Sequence, residues 1–410
     1  MLRSEMLIAM LQAATRVTDK SHRVWTLLSL ALRMAQNIGL LENSAITNVR
    51  PFEKEQRRRL LMAIGLLDAQ AALEKASEPM IIEAWLPPSV VPLNINDADI
   101  SLSTTEEVTA RQDFTDSTFL VLTSKTQILA RFLCFSASPN PQANEWKERQ
   151  SRLNTFQQEI APLFATNNLE TMNSAWYWYT KSTAECIVAW MQLFTVRPLR
   201  QQIGRSAPVV HHADLLKLGV KVLEETRKIV RDPRGIPWRW YGGFFAPWHA
   251  LAVSLAELCV CDDTYLLEAC WPIIQVSFFR MNDIVPEHNG ESVWEPMLRL
   301  MRRAEQKMES IKSRGAGIIA LGLAIQLGSE QGESQQSFVA EDLTPPWIPP
   351  NDSGNQPPTG DVFDIWPDLR DSTVNLMTDM SSTSADEIAW ASWEDFINDL
   401  NQTDGVMAFS

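Results

Sequence analysis

The sequence predicts an all-α fold, in which one large multi-helix domain precedes a disordered acidic C-terminal tail. Apolar residues recur at helical spacing in successive segments of the first 328 residues. No stretch shows the sustained two-residue alternation between turns that is typical of a strand. From residue 329 onward proline, glycine, serine and acidic residues replace the helical pattern. Such a composition buries too little apolar surface to offset the entropy of ordering, so it predicts disorder.

Acidic residues are concentrated at the C-terminal end of the chain. The net charge is −14, yet residues 330–410 alone hold 16 acidic residues and one basic residue, Arg370. The rest of the chain is therefore close to neutral. A neutral body and an acidic tail both disfavour contact with nucleic acid. Direct DNA binding by this chain is doubtful on that basis, and the tail is expected to have protein partners.

The first helices of the body carry clear start and stop signals. Residues 2–17 read as a short amphipathic helix. Ser21 is a good N-cap for the next helix, and Gly39 stands where a helix needs a left-handed closing residue. Pro51 suits the first position of a further helix. Residues 60–67 of that helix are all apolar or glycine, so we expect it to enter the core.

Two charged residues, Arg33 and Asp68, interrupt the apolar runs of these helices. A charge buried alone is strongly destabilising, so each needs a partner if it lies inside. We predict that Asp68 forms a buried ion pair with Arg33, or with one of the consecutive arginines Arg57, Arg58 and Arg59. In the alternative interpretation, Arg33 and Asp68 both face solvent.

The middle of the chain alternates helix breakers with helical segments. Residues 77–105 contain four prolines, and we expect an extended arm that lies over the helices. Turns rich in proline and glycine separate the later segments. Further helices are expected at about 113–135, 144–164, 171–196, 211–230, 244–261, 264–281, 292–312 and 316–327.

The sequence disfavours a disulfide framework, a metal site and a membrane-spanning helix. Five cysteines at irregular spacing disfavour a disulfide framework, and we expect buried thiols in a reducing compartment. Cys259 and Cys261 fall on different faces of a helix, which disfavours metal chelation by both. The apolar runs at 60–67 and 318–325 are too short to span a bilayer. We predict no catalytic residues, no metal ligands and no bound cofactor.

One aromatic block is unusually dense. It contains Trp238, Trp240, Tyr241, Trp248 and His249 within a dozen residues. Aromatic side chains with few polar groups are typical of a pocket for a small molecule or a partner. The same side chains also suit core packing between helix layers, and we favour core over pocket.

Five motifs follow one another along the body. In this order they resemble the fungus-specific transcription factor domain, the helical middle region of the zinc binuclear cluster regulators, over roughly residues 5–313. The motifs are LALRMAQNIGL at 30–40, PFEKEQRRR at 51–59, PLNINDADI at 92–100, PWRWYGGFFAPWHALAVSLAELC at 237–259 and VWEPMLRLMRRA at 293–304.

The resemblance, together with the composition of the C-terminal residues, divides the chain into three parts. Residues 1–328 would form the helical domain, shortened at its N-terminus because Met1 stands almost on a helix that is internal in the family. Residues 329–360 would be a Pro/Gly/Ser-rich linker, and residues 361–410 an acidic-aromatic tail. Full-length relatives hold zinc in a six-cysteine cluster, and these 410 residues contain no such cluster.

Bulky apolar residues alternate with acids in the tail, at Phe363, Trp366, Trp390, Trp393 and Phe396. This composition is typical of amphipathic activation segments, whose aromatic side chains insert into a groove on a partner. In the alternative interpretation, the same segment docks back on the body as a cap.

The resemblance implies a nuclear, non-enzymatic transcription regulator that controls a biosynthetic or metabolic gene set. Its expected partners are the transcription machinery, a second copy or a full-length relative as dimer partner, and a small-molecule effector. The alternative is a scaffold without DNA binding, or a helical protein that binds a small molecule.

Overall fold

A computed structural model describes residues 22–41, 49–75, 78–135, 145–166, 168–197, 210–242, 246–284 and 296–314. Helices dominate these residues and no strand occurs among them, which confirms the all-α prediction. The helices expected at 2–17 and 316–327 lie outside the described residues, as do the linker and the tail. The described helices are α1 (His22–Asn37), α2 (Pro51–Lys75), α3 (Thr118–Phe135), α4 (Glu145–Ile160), α5 (Leu169–Asn173), α6 (Ala175–Val196), α7 (His212–Arg231), α8 (Arg239–Gly242), α9 (Trp248–Val260), α10 (Thr264–Ile284) and α11 (296–314).

Helix α1 ends as its sequence predicts. Gly39 has a φ of 66°, in the left-handed region. The backbone N–H of Leu40 donates to the Ala35 carbonyl at 2.8 Å, and that of Gly39 donates to the Gln36 carbonyl at 3.0 Å. This pair of bonds closes the helix and turns the chain, so that Leu40 is buried beside the apolar side of α1.

Helix α2 enters the core, as its apolar run predicts. Leu61, Met62 and Ile64 are almost fully buried, and α2 packs against both α1 and α3. The approach of α3 is close at Gly65, where an added Cβ would lie 2.5 Å from the side-chain oxygen of Gln127. A glycine in mid-helix weakens the helix, and here the loss is offset by this close packing.

The proline-rich arm lies over α1 and α2. It contains three short 3₁₀ turns, at Glu83–Trp85, Pro88–Val90 and Asp97–Asp99. Ile81 and Val90 of the arm are buried in the same cluster as the apolar residues of α1 and α2. The arm therefore completes the hydrophobic core at this end of the domain.

A buried asparagine fixes the connection from the arm to α3. The Asn94 side-chain nitrogen donates to the carbonyls of Arg111 and Asp113 at 3.0 and 2.7 Å. Its side-chain oxygen accepts from the hydroxyls of Thr115 and Thr118 at 2.8 and 3.0 Å. All the hydrogen-bonding positions of this amide are used, so its burial carries no polar penalty.

Helix α6 joins the two larger hydrophobic clusters. Ile187 and Met191 belong to the cluster formed with α3 and α4. Ala189 and Leu193 belong to the cluster formed with α7, α9, α10 and α11. Because opposite faces of one helix serve both clusters, movement of α6 would disturb packing in both halves of the body.

Two cations from distant positions in the sequence cap the C-termini of helices. The Arg149 guanidinium of α4 donates to the carbonyls of Leu133 at 2.9 Å and Thr195 at 3.2 Å, at the ends of α3 and α6. The Lys307 ammonium donates to the carbonyls of Cys259 and Cys261, at the end of α9. Both cations lie where helix dipoles concentrate negative charge, so each contact is favourable.

Helix α3 is the one described helix that is long and apolar enough to cross a membrane by composition alone, although two thirds of it is buried inside the domain. It also carries buried polar side chains, including Gln127 and Arg131. Its apolar character is that of a core helix.

All five cysteines lie in the described residues and are free thiols. Cys134, Cys261 and Cys270 are buried, and Cys186 and Cys259 are partly buried. Burial raises the pKa of Cys186, Cys259 and Cys270 to about 11 in each case. These thiols therefore stay protonated at neutral pH and behave as small apolar side chains.

Replacing Gly39 by alanine should destabilise the domain by about 1 kcal/mol, because a left-handed backbone places Cβ too close to the carbonyl oxygen. Urea unfolding followed by circular dichroism measures this loss. The matched control is Gln36→Ala, an exposed position in the last turn of α1, which should change stability by less than about 0.5 kcal/mol. Equal effects of the two changes would contradict the assignment of Gly39.

Candidate functional site: a cavity between four helices

Asp68 is buried and ion-paired, but its partner is Arg131 rather than Arg33. One Asp68 oxygen lies 2.9 Å from an Arg131 nitrogen. The two carboxylate oxygens also accept from the backbone N–H groups of Met80 at 2.9 Å and Ile81 at 3.0 Å. Arg33 is exposed on the solvent side of α1. The predicted partner is therefore corrected: α1 turns its apolar side to α2, and the arginine comes from α3.

The Arg131 guanidinium also donates to the backbone. It donates one hydrogen bond to the Ile81 carbonyl at 2.8 Å and another to the Gly65 carbonyl at 2.7 Å. Burial lowers the pKa of Arg131, and the neighbouring Asp68 carboxylate opposes that shift. The pair therefore ties α2, α3 and the start of the arm together.

The consecutive arginines of α2 bind other acids. Arg57 pairs with Glu53, and Arg58 and Arg59 both approach Glu55, which is 1% exposed. Glu55 also accepts from the backbone N–H of Leu93 in the arm, at 3.2 Å. Burial raises the pKa of Glu55, while the Leu93 and arginine contacts lower it. Sequence reasoning missed this second buried carboxylate because Glu55 looked like a surface i,i+4 pair.

Replacing Arg131 by methionine should destabilise the domain by about 3–5 kcal/mol, because Asp68 would stay buried without its counter-charge. The control is Arg33→Met, which should cost less than about 0.5 kcal/mol because Arg33 is exposed. Urea unfolding of both variants measures the difference. A larger loss for Arg33→Met would show that the ion pair is wrongly assigned.

The predicted aromatic group does not form one pocket. Trp238 packs against Trp176 and Tyr179 of α6, with ring centroids 5.1 and 5.0 Å apart. Tyr241 meets the ring of Phe119 edge-on at 5.4 Å. These rings form a packed aromatic cluster, in which burial raises the pKa of Tyr179 to about 12.

The remaining members of the group lie elsewhere. Trp240 is 54% exposed. Trp248 and His249, in the first turn of α9, line a separate cavity together with side chains of α2, α3 and α6. The five residues, for which core packing was predicted in preference to a pocket, therefore lie in three environments: Trp238 and Tyr241 in the aromatic cluster, Trp240 at the surface, and Trp248 and His249 at the cavity.

The cavity has a volume of about 80 Å³ and is partly open to solvent. Its wall is formed mainly by aliphatic and aromatic side chains. Representative members are Leu66 and Leu73 of α2, Ala130 of α3, and Ile187, Met191 and Phe194 of α6. Most of these side chains belong to the cluster formed with α3 and α4, and Trp248 also packs against the cluster formed with α7, α9, α10 and α11.

Four buried polar side chains interrupt this apolar wall, namely Gln70, Thr126, Gln127 and His249. Gln70 and His249 are 6% and 7% exposed, and the Gln70 side-chain nitrogen and His249 Nδ1 have no hydrogen-bond partner in the described part of the chain. Thr126 donates to the Leu122 carbonyl at 2.8 Å. Gln127 donates to the Met62 carbonyl at 2.8 Å, which fixes the orientation of its amide and leaves its oxygen without a partner among the described residues. Sequence analysis named His249 as a residue of a core or a pocket and favoured the core, and it missed Gln70 and Gln127, which come from helices far away in sequence.

Among the described residues, no lysine, arginine, aspartate or glutamate lines the cavity. Burial, with a smaller contribution from the charge of Arg197, lowers the pKa of His249 to about 3. His249 is therefore neutral at pH 7. In the described residues no group of three or more histidine, cysteine or acidic side chains could hold a metal ion. This arrangement suits binding of a neutral molecule, and it contains no acid–base pair for catalysis.

Protonation of His249 should destabilise the fold at low pH. The imidazole binds a proton below pH 6.5 in the unfolded chain but only near pH 3 in the fold, so stability falls as the pH drops through this interval. Relative to a His249→Phe variant, the wild type should lose about 1.4 kcal/mol per pH unit below pH 6.5. Urea unfolding at several pH values measures this slope.

The control for that series is His211→Gln, because His211 is exposed at the start of α7. Its pH profile should follow that of the wild type. A His249→Phe profile that runs parallel to the wild type would contradict the burial of a neutral imidazole.

Residues 7–162 match the family described as the Fungal specific transcription factor domain. Among curated proteins, the chain is similar to the C6 finger domain transcription factor nscR of Arthroderma otae, with 30% identity over 367 residues, or 86% of this chain and 49% of the relative. It is also similar to the C6 finger domain transcription factor adaR of Aspergillus niger, with 31% identity over 320 residues, or 72% of this chain and 40% of the relative.

The chain spans about half the length of the curated relatives that it matches. The aligned part includes 79% of this chain for nscR of Aspergillus fumigatus, at 29% identity. No solved structure matches the chain.

Proposed function

We propose, from the premise that this chain belongs to the fungal specific transcription factor domain family, that the protein is a transcription regulator of the fungal zinc-cluster type. One observation carries the proposal: similarity to C6 finger transcription factors extends over 86% of the chain, well beyond the family match at residues 7–162. In this proposal the chain performs no catalytic step, requires no cofactor of its own and acts in the nucleus.

The helical body acts as the regulatory part. Its features are packed helices, a clamped arm and a half-open apolar cavity, all of which suit control by a dimer partner or an effector. These 410 residues hold five dispersed cysteines. DNA recognition in this proposal therefore comes from a zinc cluster outside them, either on the same polypeptide or on a full-length relative bound as a dimer partner. The regulated genes would form a biosynthetic or metabolic set.

The acidic-aromatic tail recruits the transcription machinery. Trp390 and Trp393 are followed by Ile397 and Leu400, and these four fall on one helical face if the segment folds on a partner. The acids between them keep the segment solvated before it binds.

A tethered reporter tests this proposal. The full chain, residues 1–328 and residues 329–410 are each fused to an unrelated DNA-binding module, and transcription from its operator is measured. We expect activation by the full chain and by residues 329–410. Changing Trp366, Trp390, Trp393 and Phe396 to alanine should reduce activation at least about tenfold, because these aromatic side chains supply most of the apolar contact area.

The matched control changes four small polar residues of the same tail to alanine, namely Ser381, Ser382, Thr383 and Ser384. This variant keeps every acid and every aromatic residue, so it should activate as the wild type does. Silence of all three fusions at normal expression levels would remove the tail from the proposal.

A scaffold role, in which the tail docks on the body, is the second candidate. It predicts that residues 330–410 resist limited proteolysis in the full chain. Rapid removal of the tail, with the body left intact on the gel, supports the regulator with a free tail instead.

A further inference from the structure

We propose that the cavity between α2, α3, α6 and α9 binds a neutral, mostly apolar small molecule whose ring carries one hydrogen-bonding oxygen, with Gln70 and His249 as the residues that contact that oxygen. Binding itself is independent of the proposed function. Only its regulatory consequence, control of the body by an effector, rests on that function.

The size of the cavity sets the scale of the ligand. Its volume of about 80 Å³ is roughly half that of an engineered apolar cavity that admits benzene. An enclosed space of this size holds only part of a ring, and because the cavity is partly open, the rest of the ring and its substituents can lie at the mouth. The ligand is therefore no larger than a single ring in its buried part.

The wall selects an apolar ring. Trp248 and Phe194 contribute flat aromatic surfaces, and Leu66, Leu73 and Met191 contribute aliphatic ones. Aromatic surfaces favour stacked or edge-on contacts with a second ring. A polar ligand without a ring would leave most of this wall in contact with polar atoms.

The two polar atoms select an oxygen on that ring. The Gln70 side-chain nitrogen is a donor, and the neutral His249 imidazole donates or accepts at Nδ1 according to its tautomer. Both atoms are buried, and neither has a hydrogen-bond partner in the described structure. Leaving such groups unpaired costs free energy, and a carbonyl or hydroxyl oxygen of a ligand would pair them.

The absence of formal charge along the wall selects a neutral ligand. In the part of the chain that the structure describes, no acidic or basic side chain lines the cavity, and burial holds the His249 pKa far below neutrality. A carboxylate or ammonium group would lose its hydration there without gaining a counter-charge. The ligand class is thus a small phenol or aromatic ketone rather than an acid, an amine or a phosphate.

Because of where the cavity lies, a bound ligand affects how the helices of the body pack. The cavity walls come from four helices, α2, α3, α6 and α9, whose apolar lining side chains mostly belong to or pack against the two larger hydrophobic clusters. A ligand there contacts both of these clusters at once. Occupancy therefore stabilises one relative arrangement of these helices, by a free energy that grows with the logarithm of the ligand concentration above Kd.

Calorimetric titration of the full chain with phenol tests the inference, with benzene and benzoate as comparison probes. We expect phenol to bind, benzene to bind several-fold more weakly because it lacks the oxygen, and benzoate to show no binding because it is charged. An Ala130→Leu variant, which fills the cavity from α3, should abolish phenol binding while its circular dichroism spectrum remains that of the wild type.

The polar contact is tested by a matched pair of glutamine variants. Gln70→Leu should weaken phenol binding about fivefold, the amount expected for one lost hydrogen bond, and should leave benzene binding unchanged. Gln192→Leu is the control, because Gln192 is a buried glutamine of α6 that also has an unpaired side-chain atom in the described structure but does not line the cavity. It should leave both affinities unchanged.

Each outcome decides the inference. Failure of phenol to bind, or binding that survives Ala130→Leu, shows that the cavity holds only water or nothing. Equal loss in the two glutamine variants, or binding of benzoate as tight as that of phenol, overturns the proposed contacts. These results are independent of the reporter assay, so binding without transcription overturns the proposed function alone, and transcription without binding overturns the effector site alone.

Discussion

Two buried carboxylates on one helix hold the N-terminal half of this domain together. Asp68 and Glu55 both lie on α2, and each accepts hydrogen bonds from backbone N–H groups of the arm, at residues 80–81 and at Leu93. An arm with four prolines cannot form a ladder of its own, so its remaining N–H groups need acceptors from elsewhere. Arginines then balance the buried charge, and through Arg131 this balance extends to α3. The placement of α3, and with it one wall of the cavity, depends on these carboxylates.

The sequence predicts the helices well and their long-range contacts poorly. Periodicity, Pro51 and Gly39 locate α1 and α2 because helix ends depend on local backbone chemistry. The need of Asp68 for a partner was also predictable, since burial of a lone charge is costly. The identity of that partner was not predictable, because Arg131 lies 63 residues away from Asp68 inside an apolar helix. The same contrast holds for the residues of the cavity. His249 lies in an aromatic block that is evident in the sequence, whereas Gln70 and Gln127 become its neighbours only when three helices pack together.

A domain that regulates through its packing needs a place where packing can change. Most of the described interior is too tightly packed for such a change, since separate hydrophobic clusters pack on both faces of α6. One such place is the cavity at the junction of α2, α3, α6 and α9, where unpaired polar atoms of Gln70 and His249 remain. Unpaired buried polar groups lower stability, so their presence at a junction is consistent with a site that is completed by another molecule.

The contacts of Arg149 indicate that the part of the chain that can fold is longer than the part that matches the family. The family match ends at residue 162, yet Arg149 donates to the carbonyl of Thr195 as well as to that of Leu133. A fragment cut at the family boundary would remove α6, expose the buried faces of α3 and α4, and take acceptors away from a buried guanidinium. The smallest autonomous folding unit therefore extends past α6, and shortened versions of related proteins designed from the matched region alone would end in the middle of a hydrophobic core.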